Sequence, residues 1–169
     1  MADTKETSLE IRNARPEELD EVSLLIGDAY QQYEKIIPSW AWKTYIEGIM
    51  DVRSRLGLSE LIVAELCGRL AGAVTLYLNA EQEGWPEGWA SIRILAVPPA
   101  YRGQGIGRRL MEECIRRCRE HGIATVGLHT TRVMSVARKM YERMGFKRVP
   151  EFDFRPASGV VVMAYRLDL

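Results

Sequence analysis

Apolar residues recur along this chain at two periods, and the switches between them mark out its elements. Residues 9–14 alternate as a short strand does. Arg15-Pro16-Glu17-Glu18 then reads as a helix start, with Pro in the first turn and acids at the positive end of the dipole. Leu19, Val22, Ile26, Ala29, Tyr30 and Tyr33 fall on one face of that helix. Pro38 breaks it, and a second helix is predicted from about Trp40 to Met50. Two β-rich runs, 61–66 and 70–78, flank Cys67-Gly68-Arg69, a hairpin signal. A turn-rich exposed loop occupies 79–88. Beyond it the pattern predicts a strand at 91–97, a helix over 105–121 stopped by Gly122, and a strand at 125–131. A helix over 134–144, stopped by Gly145, and a last strand at 160–167 complete the series. Strands that alternate with helices but open on a hairpin predict an α/β chain whose mixed sheet carries helices on both faces.

Composition narrows this little. A chain of 169 residues is expected to form a single domain, 1–169, with 1–7 as a flexible tail. Hydrophobic residues at 47% and charged residues at 27% are an ordinary globular balance. The start MADTKETS lacks the apolar core of a signal peptide, and no apolar run approaches the ~20 residues of a membrane span. A cytoplasmic protein with no membrane partner is the expectation. Three cysteines, an odd number, argue against a disulfide framework. Cys114 and Cys118 lie on the apolar stripe Ile106, Leu110, Met111, Cys114, Ile115, Cys118, which makes them core residues. With two histidines far apart and no CxxC, no metal site is expected.

Charge is divided along the chain although it sums to zero. Residues 1–100 hold 9 Lys or Arg against 16 Asp or Glu, whereas residues 101–148 hold 12 against 4. A basic half suits an anionic cofactor, and an acidic half suits a cationic acceptor such as an amine. Arg108, Arg109, Arg116, Arg117 and Arg119 read more simply as the solvated face of a helix than as a nucleic-acid surface, so no nucleic-acid partner is expected.

The chemistry concentrates at VPPAYRGQGIG, residues 97–107, between a buried strand and a helix start. Backbone N–H groups at a helix N-terminus carry the positive end of the macrodipole and can hold a phosphate without a basic side chain. Gly103, Gly105 and Gly107 leave no Cβ in the way. A Walker loop would need Lys and Ser or Thr after its last glycine, and here Arg108 and Arg109 follow. A dinucleotide fingerprint would read GxGxxG with an acid about 20 residues on, and neither feature is present.

What is present is [RQ]xxGx[GA], met by Arg102, Gly105 and Gly107, and it resembles the acyl-CoA pyrophosphate loop of the GNAT N-acetyltransferase superfamily. Downstream, MSVARKMYERMGF (134–146) is similar to that family's second signature, NxxAxxxYxxxGF. Met134 departs from it, standing where the family usually has Asn. The resemblance implies a GNAT-like fold, with a mostly antiparallel central sheet whose fourth and fifth strands splay to admit the cofactor, flanked by helices. It implies acetyl-CoA as cosubstrate, no metal, and direct transfer of acetyl to an amine acceptor. Arg102, Gly103, Gln104, Gly105, Ile106, Gly107 and Arg108 would then hold the pyrophosphate. Leu95 would offer its backbone N–H to the acetyl oxygen, with Ala96 and Val97 continuing along the pantetheine. Ser135 and Arg138 would complete the cofactor contacts, Ser135 in place of the missing Asn. Tyr141 would close on the sulfur, donating to the departing thiolate; a phenol ordinarily titrates at about 10 and a thiol at about 8.5. Leu95 and Tyr141 are thus the catalytic assignments.

Two matters stay open in the sequence. An alkylamine of pKa about 10.4 must lose a proton, at roughly 4 kcal/mol near neutrality, and many family members use a Glu on the fourth strand. That strand here reads ASIRILAV, without a carboxylate. The alternatives are Glu81, Glu83 or Glu87, Asp153, His129, or a water wire. The acceptor is equally open. Tyr30, Tyr33, Trp40 and Trp42, with Glu151, Phe152, Asp153 and Phe154, would suit a small primary amine, and a protein amine fits as well. A non-catalytic acyl-CoA binding or sensing module is the alternative function. The family is often dimeric, which leaves room for a homodimer.

Overall fold

The structure is a computed structural model that describes residues 8–157 and 159–169. The expected tail at 1–7 lies outside the described residues. Strand β1 (Leu9–Asn13) is followed by helices α1 (Leu19–Tyr30) and α2 (Ser39–Met50), then strands β2 (Glu60–Leu66), β3 (Arg69–Tyr77) and β4 (Ala90–Ala96). Helix α3 (Ile106–Glu120), β5 (Thr125–Thr130), α4 (Ser135–Arg143), β6 (Lys147–Arg148), β7 (Phe154–Ala157) and β8 (Val160–Asp168) complete the chain. The strands form one open sheet in the order β1-β2-β3-β4-β5-β8-β6, with β7 paired to β8. Pairing is antiparallel for β1–β2, β5–β8, β6–β8 and β7–β8, and parallel for β4–β5. The parallel pair follows from its connection, because a parallel neighbour needs a long crossover and α3 supplies it. Its register runs Ala90↔Val126 and Ser91↔Gly127, and both strands continue beyond that point, β4 to Ala96 and β5 to Thr130. The fourth and fifth strands are thus splayed.

Two compact units are resolved by their internal contacts: the chain up to Val74 with Ile94–Leu110, and Thr75–Arg93 with Met111–Leu169. In the first, α1 buries Leu19, Val22, Leu25, Ile26, Ala29 and Tyr30, the stripe of a 3.6-residue period. The helix gives way to a 3-10 turn, Gln31–Tyr33, so Tyr33 sits past its end. Cys67 and Gly68 both have positive φ, 50° and 78°, the pair of left-handed residues that a two-residue type I′ hairpin requires. Gly72 in β3 is a close approach: a Cβ there would meet Ile106 Cγ2 at 2.9 Å and Leu110 Cδ1 at 3.0 Å, which fixes the start of α3 against the strand. In the second unit Gly127 plays the same part, since a Cβ would fall 2.8 Å from the Trp85 ring. Cys114 and Cys118 are fully buried core residues, as their stripe predicts.

Two elements escape the sequence pattern. Strand β6 has two residues, too few to show an alternation. Strand β7 contains Pro156 and a register shift between Phe154 and Ala157, and such a proline argues against a strand unless it sits at an edge or irregularity.

An ion cluster ties β1 to the first turn of chain after it. Arg12 reaches Glu18 through both Nη atoms, at 2.9 and 2.6 Å, and Glu65 at 2.5 Å. Glu18 Oε2 also accepts the Arg15 N–H at 2.8 Å. The Arg12 hydrogen bond, ahead of the cost of burial, holds the Glu18 carboxyl down at about 2. A carboxyl lowered on folding stabilises the protein above its unfolded pKa and loses that contribution as pH falls through the folded value. The Glu18 contribution is therefore expected to fade between about pH 4.5 and about 2. Glu18→Gln should cost about 1–3 kcal/mol at pH 7, read as a lower urea midpoint, and its deficit should shrink over that window. A deficit independent of pH would contradict the assignment.

Candidate active site

In the first unit the end of β4 is distorted. Ile94 has φ 54°, a left-handed value for a β-branched residue and of order 1–3 kcal/mol in cost. This kink precedes Leu95, whose N–H is the expected oxyanion donor. The Leu95 carbonyl accepts the Tyr30 hydroxyl at 3.2 Å. Tyr30 is buried in α1 and fastens the strand end through this bond. Nothing in the residue types announces the kink, because isoleucine is among the least suited to it.

Beyond β4 a 3-10 turn, Pro99–Tyr101, leads into the glycine segment. Gly103 and Gly105 have φ of 77° and 76°, and a Cβ on either would meet nothing within 4 Å. The two glycines therefore border open space just before the first turn of α3, where a helix has N–H groups that lack acceptors within the helix. Gly107 and Arg108 lie in that first turn, and Ile106 is buried beneath it. The open turn leaves the N–H groups at the start of the helix approachable by a phosphate-bearing group.

Arg102 makes three hydrogen bonds within the fold. Its Nε donates to the Val97 carbonyl at 2.9 Å, Nη1 to Gln32 Oε1 at 3.1 Å, and Nη2 to the Ala29 carbonyl at 2.9 Å. The Ala29 carbonyl is among the last four of α1, which lack helical donors. Arg102 thus ties the glycine segment to the end of α1. Beside it, Tyr30, Tyr33, Trp42 and Tyr45 form an aromatic chain with ring centroids 5.7 to 6.3 Å apart. Burial pushes the Tyr33 phenol up, opposed by Arg102. Tyr45 was not among the expected wall residues. Trp40, which was, is 71% exposed.

In the second unit, Tyr141 lies on α4 and is 7% exposed, its ring 5.9 Å from Phe146. Ser135 is exposed at the helix start, and Arg138 Nε is buried without a hydrogen-bond partner. An inward stripe of Val136, Ala137, Met140, Tyr141 and Met144 is the natural periodic reading of α4, and one member fails it. Val136 is 81% exposed, because it falls in the first turn, before the helix meets the core.

The same unit holds the groups that could accept a proton. Glu83 is ion-paired to Arg93. Asp153 is held by both Arg148 Nη atoms, at 2.6 and 2.7 Å, and by the Ala164 N–H at 2.7 Å, and the Arg148 bonds keep its carboxyl low. Glu81 and Glu87 are exposed on the loop before β4. His129 is half-buried, its ring 4.6 Å from Trp85 and edge-on to Phe154 at 5.1 Å. Trp85 in turn stacks on Trp89 at 5.6 Å and packs on Phe152 at 5.4 Å. Among the described residues no group of His, Cys, Asp and Glu could hold a metal ion. No described helix is long and apolar enough to cross a membrane.

The kinked end of β4, the glycine turn and the start of α3 lie together in the first unit. Residues 21–146 match the Acetyltransferase (GNAT) family, and the chain belongs to it. The chain is 30% identical over 133 residues to N-acetylaspartate synthetase of Danio rerio, covering 77% of this chain and 45% of that protein. It is 37% identical over 57 residues to the ribosomal protein bS18-alanine N-acetyltransferase of Escherichia coli, 34% of this chain and 38% of that one. It spans about half the length, or less, of the curated relatives it matches. In fold it is similar to the PaiA N-acetyltransferase of Thermoplasma acidophilum solved in complex with coenzyme A. The TM-score is 0.73 at 21% identity, over 95% of this chain and 99% of that one.

Proposed function

We propose that this protein is an acetyl-CoA-dependent N-acetyltransferase that passes the acetyl group directly to an amine. The observation that carries the reading is the open turn at Gly103 and Gly105 between the kinked end of β4 and α3, in a chain of the GNAT family. Bound acetyl-CoA would supply the thioester. Gly103, Gln104, Gly105, Ile106, Gly107 and Arg108 would hold its phosphates, with Arg102 keeping the turn in place. The Leu95 N–H would donate to the carbonyl oxygen as charge develops there, a contribution of about 3 kcal/mol for a fixed donor. Ala96 and Val97 would pair with the pantetheine amides, and Ser135 and Arg138 would add contacts. Tyr141 would donate to the thiolate. The relatives include enzymes named for acetylation of an amino acid and of a ribosomal-protein alanine, so a primary amine is the acceptor class. An exposed Cys67 thiol suits a reducing compartment such as the cytoplasm.

Release of CoA thiol, followed while acetyl-CoA and amine are varied together, tests the reading. Intersecting double-reciprocal lines, and no acetyl group on the protein after incubation with acetyl-CoA alone, are expected. Thiol release that ignores every amine would favour the acyl-CoA sensing module.

A further inference from the structure

Within the first unit, the end of α1 is tied both to the end of β4 and to the glycine segment. We propose that Tyr30 is a positioning residue for acetyl transfer, its hydroxyl setting the direction of the Leu95 N–H that meets the acetyl oxygen. The inference rests on the acetyltransferase reading above and gives a part in the reaction to a side chain that reading leaves without one.

Three observations carry it. The first is strain. Ile94 holds a φ of 54°, and a β-branched residue keeps such a value only where its surroundings fix the backbone on either side. The second is the set of bonds that follows the kink. The Leu95 carbonyl accepts the Tyr30 hydroxyl at 3.2 Å, and the Val97 carbonyl accepts Arg102 Nε at 2.9 Å. Arg102 is itself anchored on the Ala29 carbonyl at 2.9 Å and on Gln32 Oε1 at 3.1 Å. Ala29, Tyr30 and Gln32 thus hold the backbone beyond Ile94 from one place. The third is the Tyr30 ring, which is buried with the Tyr33 ring edge-on at 5.7 Å and the Tyr45 ring at 6.3 Å. Packing of that kind leaves the hydroxyl one direction.

Peptide geometry links the bond to the reaction. The Leu95 N–H lies in the peptide plane before its Cα and the Leu95 carbonyl in the plane after it, so only the φ and ψ of Leu95 separate them. Tyr30 holds the second plane, and the Ile94 kink turns the first. The N–H between them is fixed from both ends. An oxyanion donor works only within about 2.7–3.1 Å of the place where charge develops. A displacement of about 1 Å can cost a hundredfold in rate, so a single bond at this point has leverage on turnover.

Tyr30→Phe keeps the packed ring and removes only the hydroxyl. Infrared difference spectra of bound acetyl-CoA, with and without carbon-13 at the acetyl carbonyl, isolate the thioester band and need no acceptor. In the native protein the band should lie below its frequency in free acetyl-CoA, and in Tyr30→Phe it should return toward the free value. On the best amine found by thiol release, kcat should fall about tenfold or more, with the affinity for CoA, which has no acetyl oxygen, unchanged. Ser23→Ala is the control, since it removes another hydroxyl from α1, one that donates to the Met50 carbonyl at 2.7 Å. That variant should keep the native band and kcat. A native-like band and kcat in Tyr30→Phe would overturn the positioning role alone. So would an equal loss of CoA affinity, or the same changes in Ser23→Ala, either of which would make Tyr30 a general support of the fold. A native protein whose bound acetyl-CoA shows the free frequency would overturn the Leu95 assignment and this inference with it.

Discussion

Gly105→Val is expected to weaken acetyl-CoA binding about a hundredfold or more while the protein stays folded. Two effects combine. The φ of 76° at Gly105 is strained for any side chain and worst for a β-branched one, by about 1–3 kcal/mol. The new side chain also projects into open space that the reading assigns to phosphate, and each 1.4 kcal/mol lost there is about tenfold in affinity. Gly84→Val separates the two effects. Gly84 has φ 86° and equally open surroundings in the loop before β4, so it carries the strain without the cradle. Calorimetric titration should therefore show a large loss for Gly105→Val and none for Gly84→Val, with similar falls in urea midpoint. Equal affinity in both variants would remove the glycine turn from the site.

Tyr141→Phe should lower turnover at least about tenfold and leave acetyl-CoA affinity nearly unchanged. The ring is buried beside Phe146, so phenylalanine fills the same volume and the fold is kept. Only the hydroxyl is lost, and with it the donor that the proposed function assigns to the departing sulfur. Thiolate expulsion then proceeds unassisted, a loss confined to the transition state. Steady-state kinetics and titration on one preparation check both halves. Unchanged turnover would sink the assignment, and a matching fall in affinity would recast Tyr141 as a binding residue.

The long elements were legible because each buries a face with a clear period. The stripes of α1 and α3 appear where their apolar spacing puts them, and the Cys67-Gly68 hairpin turns where a short glycine-bearing loop should. Helix α4 shows the limit of periodicity, which cannot say where along a helix the core begins, so Val136 reads as buried and is not. Strands β6 and β7 were hidden by brevity and by Pro156.

Site residues divide the same way. Gly103 and Gly105 could be found because glycine is the residue favoured at such positive φ values. The Ile94 kink could not, since it opposes the residue's own preference and is sustained by tertiary structure such as the Tyr30 bond to Leu95. Arg102 has the residue type a phosphate site favours, and three of its N–H groups also tie the turn to two backbone carbonyls and Gln32, partners that no local pattern encodes. The His129 ring nitrogen Nε2 pairs with the Phe152 carbonyl, 23 residues away, and no local pattern encodes that partner.

Mass spectrometry of an amine panel tests the central claim most directly. Polyamines, aminoglycosides, amino acids and short peptides would be incubated with isotopically labelled acetyl-CoA and either the native protein or Tyr141→Phe. A labelled acetyl group should appear on a primary amine with the native protein and far more slowly with the variant. An acetyl group that settles on the protein, or unlabelled amines beside demonstrably bound acetyl-CoA, would contradict direct transfer and leave a protein that binds the cofactor without using it.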